Sequence, residues 1–275
     1  MNPRYSTRHL GLELLFIALS AVALFPIYIL VVVAFKSPSG VAASAVTPPD
    51  ELYLENFVTA WVEADIAGAF VQTALITALS VTALVAVGSA AAYGLVRGGR
   101  RLHRVLLILI TLGITVPIQL GMVPLYQLVR DLGLLQTPWS VILFSVGSQL
   151  PLTVFLYSGF LAILPIEYEQ AAYVDGANTL QTFTHVVFPL LRAVTGTVVI
   201  VTSIHVWNDF LTPLLYLSGS GSQTLTVAIF SFRGEFATQW GVVFAGILIA
   251  ITPVVLLFLV LQKYVIRGFA SGLKG

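Results

Sequence analysis

No cysteine occurs in the sequence, which excludes disulfides, thiolate nucleophiles and Cys-ligated metals. Charge is also scarce. Only 9% of the 275 residues are Asp, Glu, Lys or Arg, where a soluble domain carries roughly 25%. The formal net charge is +1, so no global electrostatic partner is implied, and no basic stripe suggests nucleic acid. His9, His103, His185 and His205 lie far apart and show no metal-ligand spacing. There is no Gly-x-x-x-x-Gly-Lys-Ser/Thr loop to cradle phosphates. The alternating segments of about ten residues that a β-barrel needs are missing, as are heptad arrays and low-complexity tracts.

What is present is apolar. Hydrophobic residues make up 58% of the chain and the mean hydropathy is +0.97. A bilayer core of about 30 Å needs about 20 helical residues to cross it. Six stretches reach that length: 12–35, 68–96, 105–129, 139–161, 193–217 and 241–265. The expected fold is therefore an all-α, polytopic membrane bundle forming one transmembrane domain over 1–275. The first stretch follows Arg4, Arg8 and His9 and precedes Ala43-Ser44-Ala45, as a signal peptide would. Its apolar run exceeds the about 7–15 residues of a signal core, so it reads as a retained span.

Orientation follows from the basic residues. With the N-terminus in the cytoplasm, that side holds Arg4, Arg8, Arg97, Arg100, Arg101, Arg104, Arg192, Lys263, Arg267 and Lys274. The outer side holds Lys36, Arg130 and Arg233. Six crossings then place both termini in the cytoplasm. The arginine-rich loop between the second and third spans needs no reason beyond this topology, with lipid binding a lesser reading.

The inner segment 163–192 is polar and amphipathic. It reads Glu167-Tyr168-Glu169-Gln170-Ala171-Ala172-Tyr173-Val174-Asp175-Gly176-Ala177-Asn178. Ala171 and Ala172 are small enough for a partner surface to approach the backbone. Glu167, Glu169 and Asp175 offer carboxylates to a partner's basic groups. Gly176 suits a positive φ at a helix end, and Asn178 or Thr179 suits the cap of a second helix. Phe183, Val186, Val187 and Phe188 give that helix an apolar face, and Pro189 marks its end. The expectation is a helix–turn–helix at the cytoplasmic surface, made to pass force to a soluble partner. A segment resting on lipid headgroups is the alternative, but such helices favour Lys and Arg, and this one is acidic until Arg192.

The run resembles the coupling motif of ABC import permeases, Glu-Ala-Ala followed by Gly. The pattern falls on Gln170, Ala171, Ala172 and Gly176, with Pro189 downstream; Gln170 stands where the family usually has Glu. Similarity to the carbohydrate branch extends through Leu54-Glu55-Asn56-Phe57, Ala91-Ala92-Tyr93-Gly94, Pro117, Pro124-Leu125-Tyr126, Gly133-Leu134-Leu135-Gln136-Thr137, Trp207-Asn208-Asp209-Phe210, Arg267-Gly268 and Lys274-Gly275. The chain is similar to the shorter, six-span permease of maltose-type systems. The resemblance implies a second, different permease, two ATPase subunits that hold ATP and Mg, and an extracytoplasmic solute-binding protein. It implies no cofactor on this chain and no catalysis by it. It also implies that the partner permease supplies most of the solute site, and that Ser271, Gly272 and Lys274 belong to a tail reaching the ATPases.

Asn208 and Asp209 fall in the fifth span. An intramembrane carboxylate is expensive and usually functional, which suggests a pore or gate; an interfacial pair anchored by Trp207 is the other reading. Pro117, Pro151, Pro213 and Pro253 lie in or near spans, where they kink helices or simply pack. Gly88, Ala91 and Ala92 suit close helix packing. An importer of another solute, such as glycerol phosphate, fits the motif equally well. A stand-alone secondary transporter would need internal repeats and midplane ion sites, and an intramembrane enzyme would need paired catalytic groups; neither is evident.

Overall fold

A computed structural model describes the backbone of residues 7–63, 65–235 and 239–272, and the side chains of 11–63, 65–230, 239–256 and 258–260. Every regular element among them is helical. In chain order these are α1 (Thr7–Ala34), α2 (Pro38–Ala43), α3 (Glu55–Glu63), α4 (Ile66–Arg97), α5 (Arg101–Leu112), α6 (Met122–Asp131) and α7 (Pro138–Ile163). There follow α8 (Glu167–Val174), α9 (Thr179–Gln181), α10 (Phe188–Leu190), α11 (Arg192–Asn208), α12 (Leu211–Tyr216), α13 (Leu225–Glu235) and α14 (Trp240–Gly272).

Among the described residues, four helices are long and apolar enough to cross a membrane alone: Gly11–Ala34, Ile66–Arg97, Pro138–Ile163 and Trp240–Val260. Two bent pairs raise the number to six. The stretches read as spans at 105–129 and 193–217 are not single helices. Arg101–Thr115 meets Ile118–Asp131 at 95°. The cause is Pro117, which lacks an N–H and drives Val116 into extended backbone, φ −80° and ψ 117°. In the fifth crossing α11 stops at Asn208. Asp209 is extended, at φ −65° and ψ 122°, and its Oδ1 accepts the N–H of Thr212 at 3.2 Å to begin α12.

The chain divides into two compact units, residues 1–67 with 228–252, and 68–227 with 253–275. In the first, α1 is apolar on all sides and leaves Leu14, Phe16, Ile17 and Val22 exposed, as suits a helix bathed in lipid. Its C-terminal carbonyls lack intrahelical partners. Asn56, buried, supplies them: its amide donates to Ala34 O at 2.9 Å and Lys36 O at 2.8 Å. Beside it Phe57 packs on Phe35 at 4.8 Å between centroids. Gly241 leaves room for the Asn56 amide, since a Cβ there would sit 2.5 Å from Nδ2.

The second unit is built on α4 and α7. They approach closely because position 88 is glycine; a Cβ there would meet Thr153 Cγ2 at 2.4 Å. Ala92, Tyr93, Val154, Tyr157, Leu161, Val187, Leu191, Val194 and Val198 form one buried cluster. The core thus joins α4, α7, the chain before α10, and α11. The turn from α6 into α7 uses Gly133 and Gln136 at φ +68° and +63°, and Gln136 N–H bonds to Tyr216 O at 2.8 Å. The α14 backbone stays helical to Gly272 instead of ending near 265. Ser271 and Gly272 are its last residues, and Lys274 lies outside the described residues.

Candidate functional site

The segment after α7 folds as two helical pieces around a glycine turn. α8 ends at Val174, and Gly176 takes φ +85°. A Cβ at Gly176 would touch nothing within 4 Å, so the backbone alone requires glycine. Ala177 N–H returns to Ala172 O at 2.9 Å. Asn178, rather than Thr179, caps the second piece in a reciprocal box: its Oδ1 accepts Gln181 N–H at 2.9 Å and its own N–H reaches Gln181 Oε1 at 2.9 Å.

Pro189 sits one residue before the end of the second helical piece at Leu190. Residues 182–187 form a π turn, Phe188–Leu190 continue it, and the chain bends by 75° before Arg192. The N–H missing at Pro189 interrupts the ladder just where the π turn closes. Val187 and Leu191 are buried in the core cluster, and Phe183 packs on Tyr93 at 5.1 Å. This seats the apolar face of the segment on the membrane bundle.

Glu167, Gln170, Ala171, Asp175, Gly176 and Pro189 are exposed, and Ala172 is buried. Apolar side chains that the sequence did not single out join them at the turn: Val174 is 87% exposed and Leu180 70%. Exposed apolar groups gathered at one polar turn indicate a contact surface.

Glu169 departs from expectation. It is 3% exposed and does not offer its carboxylate outward. Its Oε1 accepts Arg97 Nε at 2.8 Å and its Oε2 accepts the Tyr93 hydroxyl at 3.0 Å. Arg97 Nη2 also donates to Leu164 O at 3.0 Å. The end of α4 is thereby tied both to α8 and to the chain that enters it. Arg97 thus has a specific structural partner beyond topology. Gln170, next to this clamp, lines a cavity of about 420 Å³ with Arg97, Tyr93, Tyr173 and Thr179.

A larger cavity of about 1080 Å³ lies where both crossings break. Val116, Pro117 and Gln119 line it from the third crossing, Ser148 and Gln149 from α7, and His205, Asn208 and Asp209 from the fifth. Asn208 Nδ2 donates to Ile204 O at 2.8 Å, and Asp209 is held by its bond to Thr212 N–H. Trp207, at the same break, stacks edge-on against Phe70 at 5.6 Å. The structure therefore sets two sequence-selected groups apart, an exposed glycine turn around Gly176 and a polar pair at a cavity wall.

Residues 84–271 match the family model described as binding-protein-dependent transport system inner membrane component. The chain is 38% identical over 97% of its length to the melibiose/raffinose/stachyose import permease protein MelC of Bacillus subtilis, covering 97% of that protein. It is 31% identical to the probable starch degradation products transport system permease protein AmyC of Thermoanaerobacterium thermosulfurigenes, with 95% of each chain covered. In fold it matches a chain of a bacterial ABC transporter involved in import of the acidic polysaccharide alginate, at TM-score 0.83 and 24% identity, covering 96% of this chain and 99% of that one. The chain is a multi-pass membrane protein and belongs to the family of binding-protein-dependent transport system inner membrane components.

Proposed function

We propose that the chain is the permease subunit of an ATP-driven ABC importer, and that it carries carbohydrate across the cytoplasmic membrane by alternating access. The observation that carries this reading is the exposed glycine turn at 174–180, tied rigidly to α4 through Arg97 and Glu169. A turn so built moves with the bundle while presenting Gln170, Ala171, Val174 and Leu180 to a soluble partner. The carbohydrate assignment is supported by MelC and AmyC, whose names concern sugar and starch-product transport.

In this reading the chain pairs with a second, different permease. Two ATPase subunits hold ATP and Mg and receive the coupling segment, and an extracytoplasmic binding protein delivers solute. Both termini lie in the cytoplasm, and the end of α14, with Ser271, Gly272 and Lys274, reaches the ATPases. Asn208 and Asp209 line the pore or steady its gate. The chain performs no chemistry on its solute.

The test is uptake of labelled oligosaccharide by proteoliposomes holding the full complex. Transport should require ATP on the ATPase side and binding protein on the other. Uptake by this chain alone, driven by an ion gradient, would establish a secondary transporter instead.

A further inference from the structure

Irregular backbone at membrane depth is tolerated only where it is buried in protein or lines a cavity. Here the bend of the third crossing at Val116–Pro117 and the interruption between α11 and α12 at Asn208–Phe210 open on the same space. Gln149 of α7 lines that space too. It is 9% exposed, and no hydrogen bond reaches its side-chain amide among the described residues; its backbone carbonyl accepts Thr153 Oγ1 at 2.9 Å. An amide that faces a cavity and is not engaged by its own chain is free to donate to and accept from a solute in that cavity.

The surroundings define the ligand's chemistry. Among the described residues no hydrogen bond engages Asn208 Oδ1 or Asp209 Oδ2. Gln119, Ser148 and His205 add further polar groups, and Phe144 contributes an aromatic wall. Among the described residues no Lys or Arg lines the cavity. Amide and carboxylate groups without a fixed cation match the alternating donors and acceptors of neutral hydroxyls, and they repel a phosphate.

We propose that Gln149 contacts the transported solute in a site carried by this chain itself, and that the site takes a neutral carbohydrate and excludes a phosphorylated one. This rests on the carbohydrate-importer reading. It departs from the expectation that the partner permease supplies most of the solute site.

The test uses the complete complex in proteoliposomes with saturating, raffinose-loaded binding protein. Gln149→Leu should lower raffinose uptake per ATP hydrolysed about tenfold, the effect of one lost hydrogen bond, with complex recovery as in wild type. Gln149→Asn should fall between Leu and wild type. Because the chain has no cysteine, Gln149→Cys makes position 149 the only thiol in this subunit. Its labelling by a water-soluble thiosulfonate should slow in the presence of raffinose and not of glycerol 3-phosphate. Wild-type uptake with an unchanged ratio in Gln149→Leu overturns the contact, and protection by glycerol 3-phosphate overturns the neutral class. Failure of the wild-type complex to take up any of a panel of neutral mono- to tetrasaccharides instead overturns the carbohydrate reading beneath it.

Discussion

Arg97 and Glu169 meet at 2.8 Å across 72 residues of sequence, their side chains 18% and 4% exposed. The pair joins the C-terminal end of α4 to α8. Removing one partner strands the other in a poorly solvated site. Glu169→Ala should cost about 3 kcal/mol, the low end for a broken buried pair because Arg97 keeps some solvent. The melting temperature of the purified complex should fall, and solute-stimulated ATP hydrolysis should fall with it. The reversed pair, Arg97→Glu with Glu169→Arg, should recover part of both. A Glu169→Ala complex that melts and hydrolyses like wild type removes the clamp from the mechanism.

Asn56 and Gly241 form a second testable contact. Gly241→Ala places a Cβ 2.5 Å from the amide that caps α1, and forcing it aside should destabilise the protein by about 1–3 kcal/mol. In an Asn56→Ala background the same change should cost much less, because the group it strikes is gone. Thermal melts of the two singles and the double read this directly; simple additivity contradicts it.

The contact of α4 with α7 behaves in the same way. Gly88→Ala puts a methyl 2.4 Å from Thr153 Cγ2, an overpacking worth about 1–3 kcal/mol. Thr153→Ser deletes that methyl and should restore stability in the double variant. No rescue would mean that the helices part instead of the side chain yielding.

Asn178 caps the second piece of the coupling segment with both halves of its box formed. Asn178→Ala should lose about 1 kcal/mol locally. Amide hydrogen exchange over 178–190 should quicken while α4 and α7 stay protected. Uniformly faster exchange would point to a global role.

The parts of the coupling segment that the sequence made legible are local. A glycine followed two residues on by an Asx residue signals a helix end and a new cap, and Gly176 and Asn178 fill those roles. Which carboxylate faces outward was not legible. Glu167 and Glu169 look alike in sequence, and only the rotation of α8 against Arg97 turns one inward. The available sign was an arginine closing the second span on the side that also holds α8. The bends were half legible: Pro117 marked a weak point, but a local signal carries no angle. Gln149 gave no sign, because a single amide in an apolar run becomes informative only when the chain around it fails to bond it. Among the family-like residues, Asn56 turned out to be a cap and Gln136 a turn former.

The central claim is that the turn at Gly176 transmits ATPase work to the membrane bundle. The direct measurement co-expresses this chain with its partner permease and ATPase, then compares complex recovery and solute-stimulated ATP hydrolysis for wild type and Gly176→Asp. The substitution adds a charge and strains the turn at φ +85° without striking any neighbour in this chain, so its effect reports on docking where the permease pair is recovered as in wild type. The account predicts a recovered permease pair that has lost ATPase binding or its stimulation. A Gly176→Asp complex that binds the ATPase and responds to solute as wild type does would contradict it.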